Sequence, residues 1–169
     1  KHDEAEGMLQ AWIAQHQDAV PPRLALANLD MLDRAYDRAR PLYEQVLKQV
    51  PTNIIAMNNL AWLYVRDHDP RANDLAQRAF HLAPDGTTAD TLGWTLLNDG
   101  DAKSGLPFLK TAVAALPQDM SVQYHLAVAL AKAAKTAQAR SVLERVVASN
   151  EAFDGKDDAK RALDKLDHP

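Results

Sequence analysis

The chain has 169 residues, 47% of them apolar and 25% charged, and a formal net charge of −4. That balance describes a folded globular protein with no basic footprint for nucleic acid or an anionic membrane surface. With no cysteine there are no disulfides, no thiol catalysis and no cysteine-ligated metal, and no apolar run approaches the roughly 18 residues of a membrane span.

Residues 1–19 begin at Lys1 rather than methionine, without a signal sequence or lipid-attachment cysteine, and read as the cut edge of something longer. They predict one amphipathic helix carrying Ala5, Leu9 and Trp12. Residues 20–53 predict a helical hairpin: Leu26-Ala27 in the first helix, the turn LDRAYD, then Ala39, Tyr43 and Val46, closing at Pro51. Residues 54–85 repeat it with Leu60-Ala61, the turn RDHDP, Ala72, Ala76, Ala79 and Pro84. Residues 86–119 do so with Leu92-Gly93, the turn NDGD, Gly105, Leu109, Ala112 and Pro117. Residues 120–152 carry Leu126-Ala127, Ala139, Leu143 and Val146, with Glu151 where a closing proline would stand. Residues 153–169 predict a last helix with one apolar stripe, Ala159, Ala162, Leu163 and Leu166, which suits a cap that covers the final hairpin and faces water.

The small residues Ala27, Ala61, Gly93 and Ala127 are spaced 34, 32 and 34 apart, and Ala39, Ala72, Gly105 and Ala139 are spaced 33, 33 and 34 apart. This register resembles the tetratricopeptide repeat. The resemblance implies an all-α, right-handed α-α superhelix of about ten helices forming one continuous solenoid domain. Residues 1–19 would be the second helix of a truncated repeat, and that truncated end implies weak self-association. Gly93 would sit where the two helices of its hairpin approach most closely, so that a larger side chain would push them apart. Pro41 and Pro107 fall on the outer face, each freeing one carbonyl to water and bending its helix slightly.

Wording within the repeats (RLALANL, NNLAWLY, DTLGWTLL, YHLAVALAKA and the acidic-basic final helix) is also similar to the C-terminal part of tetratricopeptide lipoproteins of the bacterial PEP-CTERM/exosortase system. That narrower resemblance implies a cell-envelope assembly for exopolysaccharide export, in the periplasm or attached to the outer membrane. The residues themselves leave the cytoplasm open.

Catalytic chemistry is scarce. No two of the six histidines lie four apart on a predicted helix, and no serine has a histidine placed as base. RDHDPR reads as a solvated turn, and NDGD lacks the spacing and closing glutamate of a calcium loop. No phosphate loop, cofactor motif or metal spacing stands out, which predicts a non-enzymatic interaction scaffold without cofactor.

In the resemblance the first helix of each hairpin lines the concave face. Residues one after the small position, with those three or four before that residue on the same face, then form a candidate groove of Asn28, Asn58, Asn59, Trp62, Asp90, Thr91, Trp94, Tyr124, His125 and Val128. It would bind a protein or peptide segment. The alternative ligand is a glycan, since aromatic faces beside amides and hydroxyls also suit sugars. A competing reading puts Trp62 and Trp94 in the core between repeats. Asn28 and Asn59 match the amide positions of the family's carboxylate clamp, but its cationic positions hold Leu24, Thr87 and Thr91, so a clamp for chaperone tails is rejected.

Overall fold

The computed structural model describes residues 2–168. Among them are ten helices and no strand: α1 His2–Gln15, α2 Val20–Leu32, α3 Tyr36–Gln49, α4 Ile54–Arg66, α5 Ala72–Leu82, α6 Gly86–Asn98, α7 Ala102–Ala115, α8 Met120–Lys132, α9 Thr136–Ala148 and α10 Lys156–Asp167. None is long and apolar enough to cross a membrane. The chain divides into two compact units, one ending at Leu82 and one beginning at Ala83.

Local chemistry sets the helix ends. Asn53, Asp85, Asp101 and Asp119 each accept a hydrogen bond from a backbone N–H of the following first turn. At the opposite ends, α2, α4, α6 and α8 close in one way. Arg34, His68, Gly100 and Ala134 take positive φ, and the next residue's N–H reaches back to the carbonyls of Asp30, Tyr64, Leu96 and Leu130. This six-to-one closure reverses the chain within a few residues and starts the second helix of each hairpin. Glycine occupies the position only in NDGD. Arg34, His68 and Ala134 hold a conformation that costs a residue with a Cβ roughly 1–2 kcal/mol.

A second device recurs at the start of the hairpins. Arg23 donates to the carbonyls of Gln17 and, at 3.3 Å, Ala19. The Thr88 hydroxyl donates to Ala83 O at 2.5 Å, and Gln123 Nε2 to Pro117 O at 3.0 Å. Met57 stands in the equivalent place in α4 and offers no donor. There Arg78 of α5 reaches the Pro51 carbonyl at 3.2 Å instead. Each hairpin entrance thus has a carbonyl tied by a side chain, as a turn tucked against packed helices requires.

In the first unit the core is Ala27, Ala39, Tyr43, Val46, Ala61, Leu63 and Ala76, all fully buried. In the second, one cluster joins Tyr124, Ala127, Leu143, Val146 and Ala159, with Phe153, Ala162, Leu163 and Leu166 packed on it. A neighbouring cluster holds Leu97, Leu109 and Ala129. The residues of α10 in this core come from its one apolar stripe. Arg140 of α9 secures the helix end through the Leu166 carbonyl at 2.6 Å and the Asp167 carboxylate. Pro41 and Pro107 lie inside α3 and α7 and are solvent-exposed.

Candidate functional site

The residues expected to line a groove fall into two groups, one in each unit. In the first unit, Asn28 of α2 and Asn59 of α4 are half-buried and joined through Tyr43 of α3. The Tyr43 hydroxyl donates to Asn28 Oδ1 at 2.7 Å and accepts from Asn59 Nδ2 at 2.9 Å, while Nδ2 also lies 3.4 Å from Asn28 Oδ1. Burial pushes the Tyr43 phenol up to about 12, so it remains a neutral donor. The arrangement commits one oxygen of Asn28 and leaves the Nδ2 of Asn28 and the Oδ1 of Asn59 for other partners. Asn58 is buried, and its Oδ1 has no hydrogen-bond partner among the described residues. Trp62 is half-buried, its ring tilted against Tyr36 at 5.3 Å, and the Arg66 guanidinium lies 4.5 Å from the centre of the Tyr36 ring.

In the second unit, Asp90 of α6 accepts from His125 Nδ1 of α8 at 2.9 Å to either oxygen. The imidazole so held stacks on Trp94 with centroids 4.0 Å apart and planes 20° from parallel. Tyr124 lies tilted to both rings and to Phe153 at 6.2 Å. Burial raises the Tyr124 phenol to about 12. The helix geometry explains the meeting: Asp90 and Trp94 are four residues apart on one face of α6, and α8 presents the adjacent pair Tyr124 and His125 to it. Trp94 and Val128 also pack against both apolar clusters.

The structure therefore assembles Asp90, Trp94, Tyr124 and His125, and separately Asn28 and Asn59. It buries Asn58, Thr91, Tyr124 and His125, which the sequence reading places in an open groove. The reason is the stacking of neighbouring hairpins, which covers the flanks of each first helix. Thr91 uses its carbonyl to accept from the Thr95 hydroxyl at 2.7 Å. The two indoles, both half-buried, lie between the core and the groove readings.

One grouping had no sequence signal because its members come from α1 and, about thirty residues on, the turn after α2. Ligand atoms of His2, Glu6 and Asp33 lie within 4.8 Å of one another. Glu6 already receives Arg38 at 2.7 Å, and His2 Nε2 lies 3.1 Å from Asp33, so each member has a partner without an ion. In the RDHDPR turn, Arg71 forks onto Asp69 at 2.6–3.1 Å and holds that carboxyl down to about 2.

Residues 96–154 match the tetratricopeptide repeat family model. The fold is that of a tetratricopeptide repeat protein. Among solved structures of that fold is YrrB, described as a TPR protein with an unusual peptide-binding site. It is 21% identical, with TM-score 0.65 over 94% of this chain and 81% of its own. MamA from Desulfovibrio magneticus RS-1 is 18% identical, with TM-score 0.71 over 96% of this chain and 88% of its own. TTC0263 of Thermus thermophilus, a thermophilic TPR protein, is 13% identical, with TM-score 0.69 over 98% of this chain and 90% of its own. No curated protein sequence is significantly similar to this chain. Helical hairpins of the tetratricopeptide type thus place Asn28, Asn59, Trp62, Asp90 and Trp94 on first helices.

Proposed function

We propose that the chain is a non-catalytic interaction module that binds segments of a partner protein through the polar and aromatic side chains of its first helices. The observation that carries this reading is the Asp90–His125–Trp94 arrangement. A carboxylate fixes an imidazole, the imidazole fixes an indole, and the indole keeps part of its surface accessible. An aromatic anchor held rigid beside polar groups loses little freedom when it binds. The Asn28–Tyr43–Asn59 network supports the same reading in the first unit, since oriented amides can meet the N–H and C=O of an extended chain. The peptide-binding site attributed to YrrB, a protein of the same fold, agrees with a peptide as the ligand class.

The resemblance of the repeat wording to envelope lipoproteins supports a place in a bacterial cell-envelope or exopolysaccharide-export assembly, and this is part of the proposal. Peptides selected from a random display library on the intact chain test it. Selected peptides are expected to lose at least tenfold in affinity on Trp94→Ala or Asn59→Ala, as removal of a binding anchor entails, in proteins that still fold. Selected peptides that bind both variants as tightly as the parent would overturn the reading.

A further inference from the structure

The first unit contains a cavity of about 510 Å³ that the groove reading does not use. It lies between α3 and α5, the second helices of two successive hairpins. Leu60, Tyr64 and Leu75 are the buried members of its lining, and Leu47 is half-buried. Leu60 and Tyr64 are each two residues from Trp62, on another face of α4. Its volume falls in the range of sites that hold a ligand or an anchoring side chain, about 300–1,000 Å³.

The charges around it are ordered unequally. Glu44 accepts from the Tyr64 hydroxyl at 2.9 Å and lies 3.8 Å from Arg71. Arg71 is forked on Asp69 and stacked 4.3 Å over the Tyr64 ring. These groups are committed. Lys48, one turn beyond Glu44, has no hydrogen-bond or ion-pair partner among the described residues, although it lines the same cavity. Arg78 is held by Asp74 at 3.3 Å, an exposed pair four residues apart, and by the Pro51 carbonyl. Such exposed pairs are worth little, so an incoming carboxylate can displace Asp74. The rim thus keeps one uncompensated cation and one exchangeable cation above an apolar floor.

Hairpin stacking does not demand this dressing. By register, the second unit keeps Arg145 for Arg78, bonded there to Gln123, but places Lys110 where Glu44 stands, Ala114 for Lys48, Leu130 for Tyr64, Gln138 for Arg71 and Ser141 for Asp74. The same helices pack there without the tyrosine, the carboxylates or the unpaired lysine.

We propose that this cavity is a second binding site, which takes an apolar side chain flanked by a carboxylate from an acidic segment of a partner protein. The apolar group fills the space over Leu60 and Leu75, and the carboxylate bridges Lys48 and Arg78.

The test uses the full ¹⁵N-labelled chain and an acetylated, amidated probe peptide, Gly-Leu-Phe-Glu-Glu-Gly, beside its Gln-Gln counterpart. The acidic peptide is expected to shift backbone amides around Lys48, Leu75 and Arg78, and to leave those around Ala114 and Ser141 in place. Lys48→Glu and Arg78→Glu are each expected to weaken binding on the order of tenfold or more, the loss of a charge-assisted hydrogen bond, with helical circular dichroism retained. Equal binding of the Gln-Gln peptide would overturn the proposal. So would shifts confined to Asn28, Asn59 and Trp62, which would support the first-helix surface alone. Absence of any shift at millimolar peptide would also sink it, and would leave the first-helix reading standing on its own test.

Discussion

Gly93 and Gly105 meet across the α6–α7 hairpin so closely that a Cβ on Gly105 would lie 2.7 Å from the Gly93 carbonyl oxygen. A Cβ on Gly93 would in turn lie 2.7 Å from Leu109 Cγ and 3.0 Å from the Gly105 carbonyl. The other hairpins carry alanine at both positions, as Ala27 and Ala39, Ala61 and Ala72, and Ala127 and Ala139, all close to fully buried. In this hairpin backbone lies against backbone. The clash with a carbonyl cannot be relieved by a rotamer change, so the two helices must separate. Gly105→Ala is expected to cost about 1–3 kcal/mol and Gly93→Leu as much or more. Thermal melts of these variants that overlay the parent would contradict the close approach.

The hairpin closures give a prediction of the opposite sign. Ala134 adopts φ 56° at the end of α8, with its N–H bonded to the Ala131 carbonyl at 3.0 Å. Its side chain is exposed. Ala134→Gly removes the Cβ strain and keeps the hydrogen bonds, and is expected to stabilise the chain by up to about 1 kcal/mol. A denaturant midpoint that falls would show that the turn is not strained.

Alkaline titration reads the buried phenols. Burial is the largest cause that raises Tyr43, Tyr64 and Tyr124 from 10.0 to about 12. For Tyr64 the hydrogen bond to Glu44 adds to it, and for Tyr124 the nearby Asp158 does. The fold favours the neutral form, so this contribution is fully present below pH 10 and is lost as pH rises towards about 12. Each phenol weakens the fold by about 1.4 kcal/mol per pH unit within that window. Tyrosinate absorbance should therefore appear together with the loss of helical signal. Ionisation of these tyrosines at the ordinary pH, with the helices intact, would contradict their burial.

The helices, their turns and the close approach at Gly93 follow from the spacing of small and apolar residues, because helix packing has a period that one sequence displays. The partner of that approach, Gly105, was visible as a register position but not as a backbone contact, since its neighbours Ala39 and Ala72 look equivalent. Which polar groups pair was hidden for a different reason. Asp90 and His125 are 35 residues apart, and only the stacking of successive hairpins brings them together. The cavity of Glu44, Tyr64 and Arg71 draws on three helices. No periodicity marks it, because these three pair with each other rather than follow a repeat pattern, and Lys48 beside them pairs with none of them.

The final helix supports the second unit's core. Phe153, Ala159 and Leu163 pack on the cluster of Tyr124 and Leu143, and Gly155 turns the chain at φ 104° with the Tyr124 ring 3.0 Å from where a Cβ would be. Removing residues 153–169 uncovers that cluster, and is expected to lower the melting temperature and promote association through the exposed apolar face. Light scattering that finds the shortened chain monomeric, with an unchanged melt, would contradict this role for α10.

Trp62 and Trp94 occupy matching positions in their repeats but have different surroundings. Trp94 packs against both apolar clusters of its unit and stacks on His125 at 4.0 Å, whereas Trp62 contacts Tyr36 at a tilted 5.3 Å. Truncating a fully buried tryptophan costs about 3–5 kcal/mol, and a half-buried one costs less in proportion to the contacts it loses. Trp94→Ala is therefore expected to cost about 2–3 kcal/mol of stability, and Trp62→Ala about 1 kcal/mol, the ordinary effect of a single substitution. Accessibility follows a related order. Trp12 is 55% exposed, and its only described ring contact is the stack on His16 at 4.3 Å. In variants that retain one tryptophan each, acrylamide should quench Trp12 most and both Trp62 and Trp94 measurably less. Complete protection of Trp62 and Trp94 would make them core residues and remove the aromatic anchors from the proposed binding surface. Quenching of Trp94 equal to that of Trp12 would instead show that the His125 stack does not form.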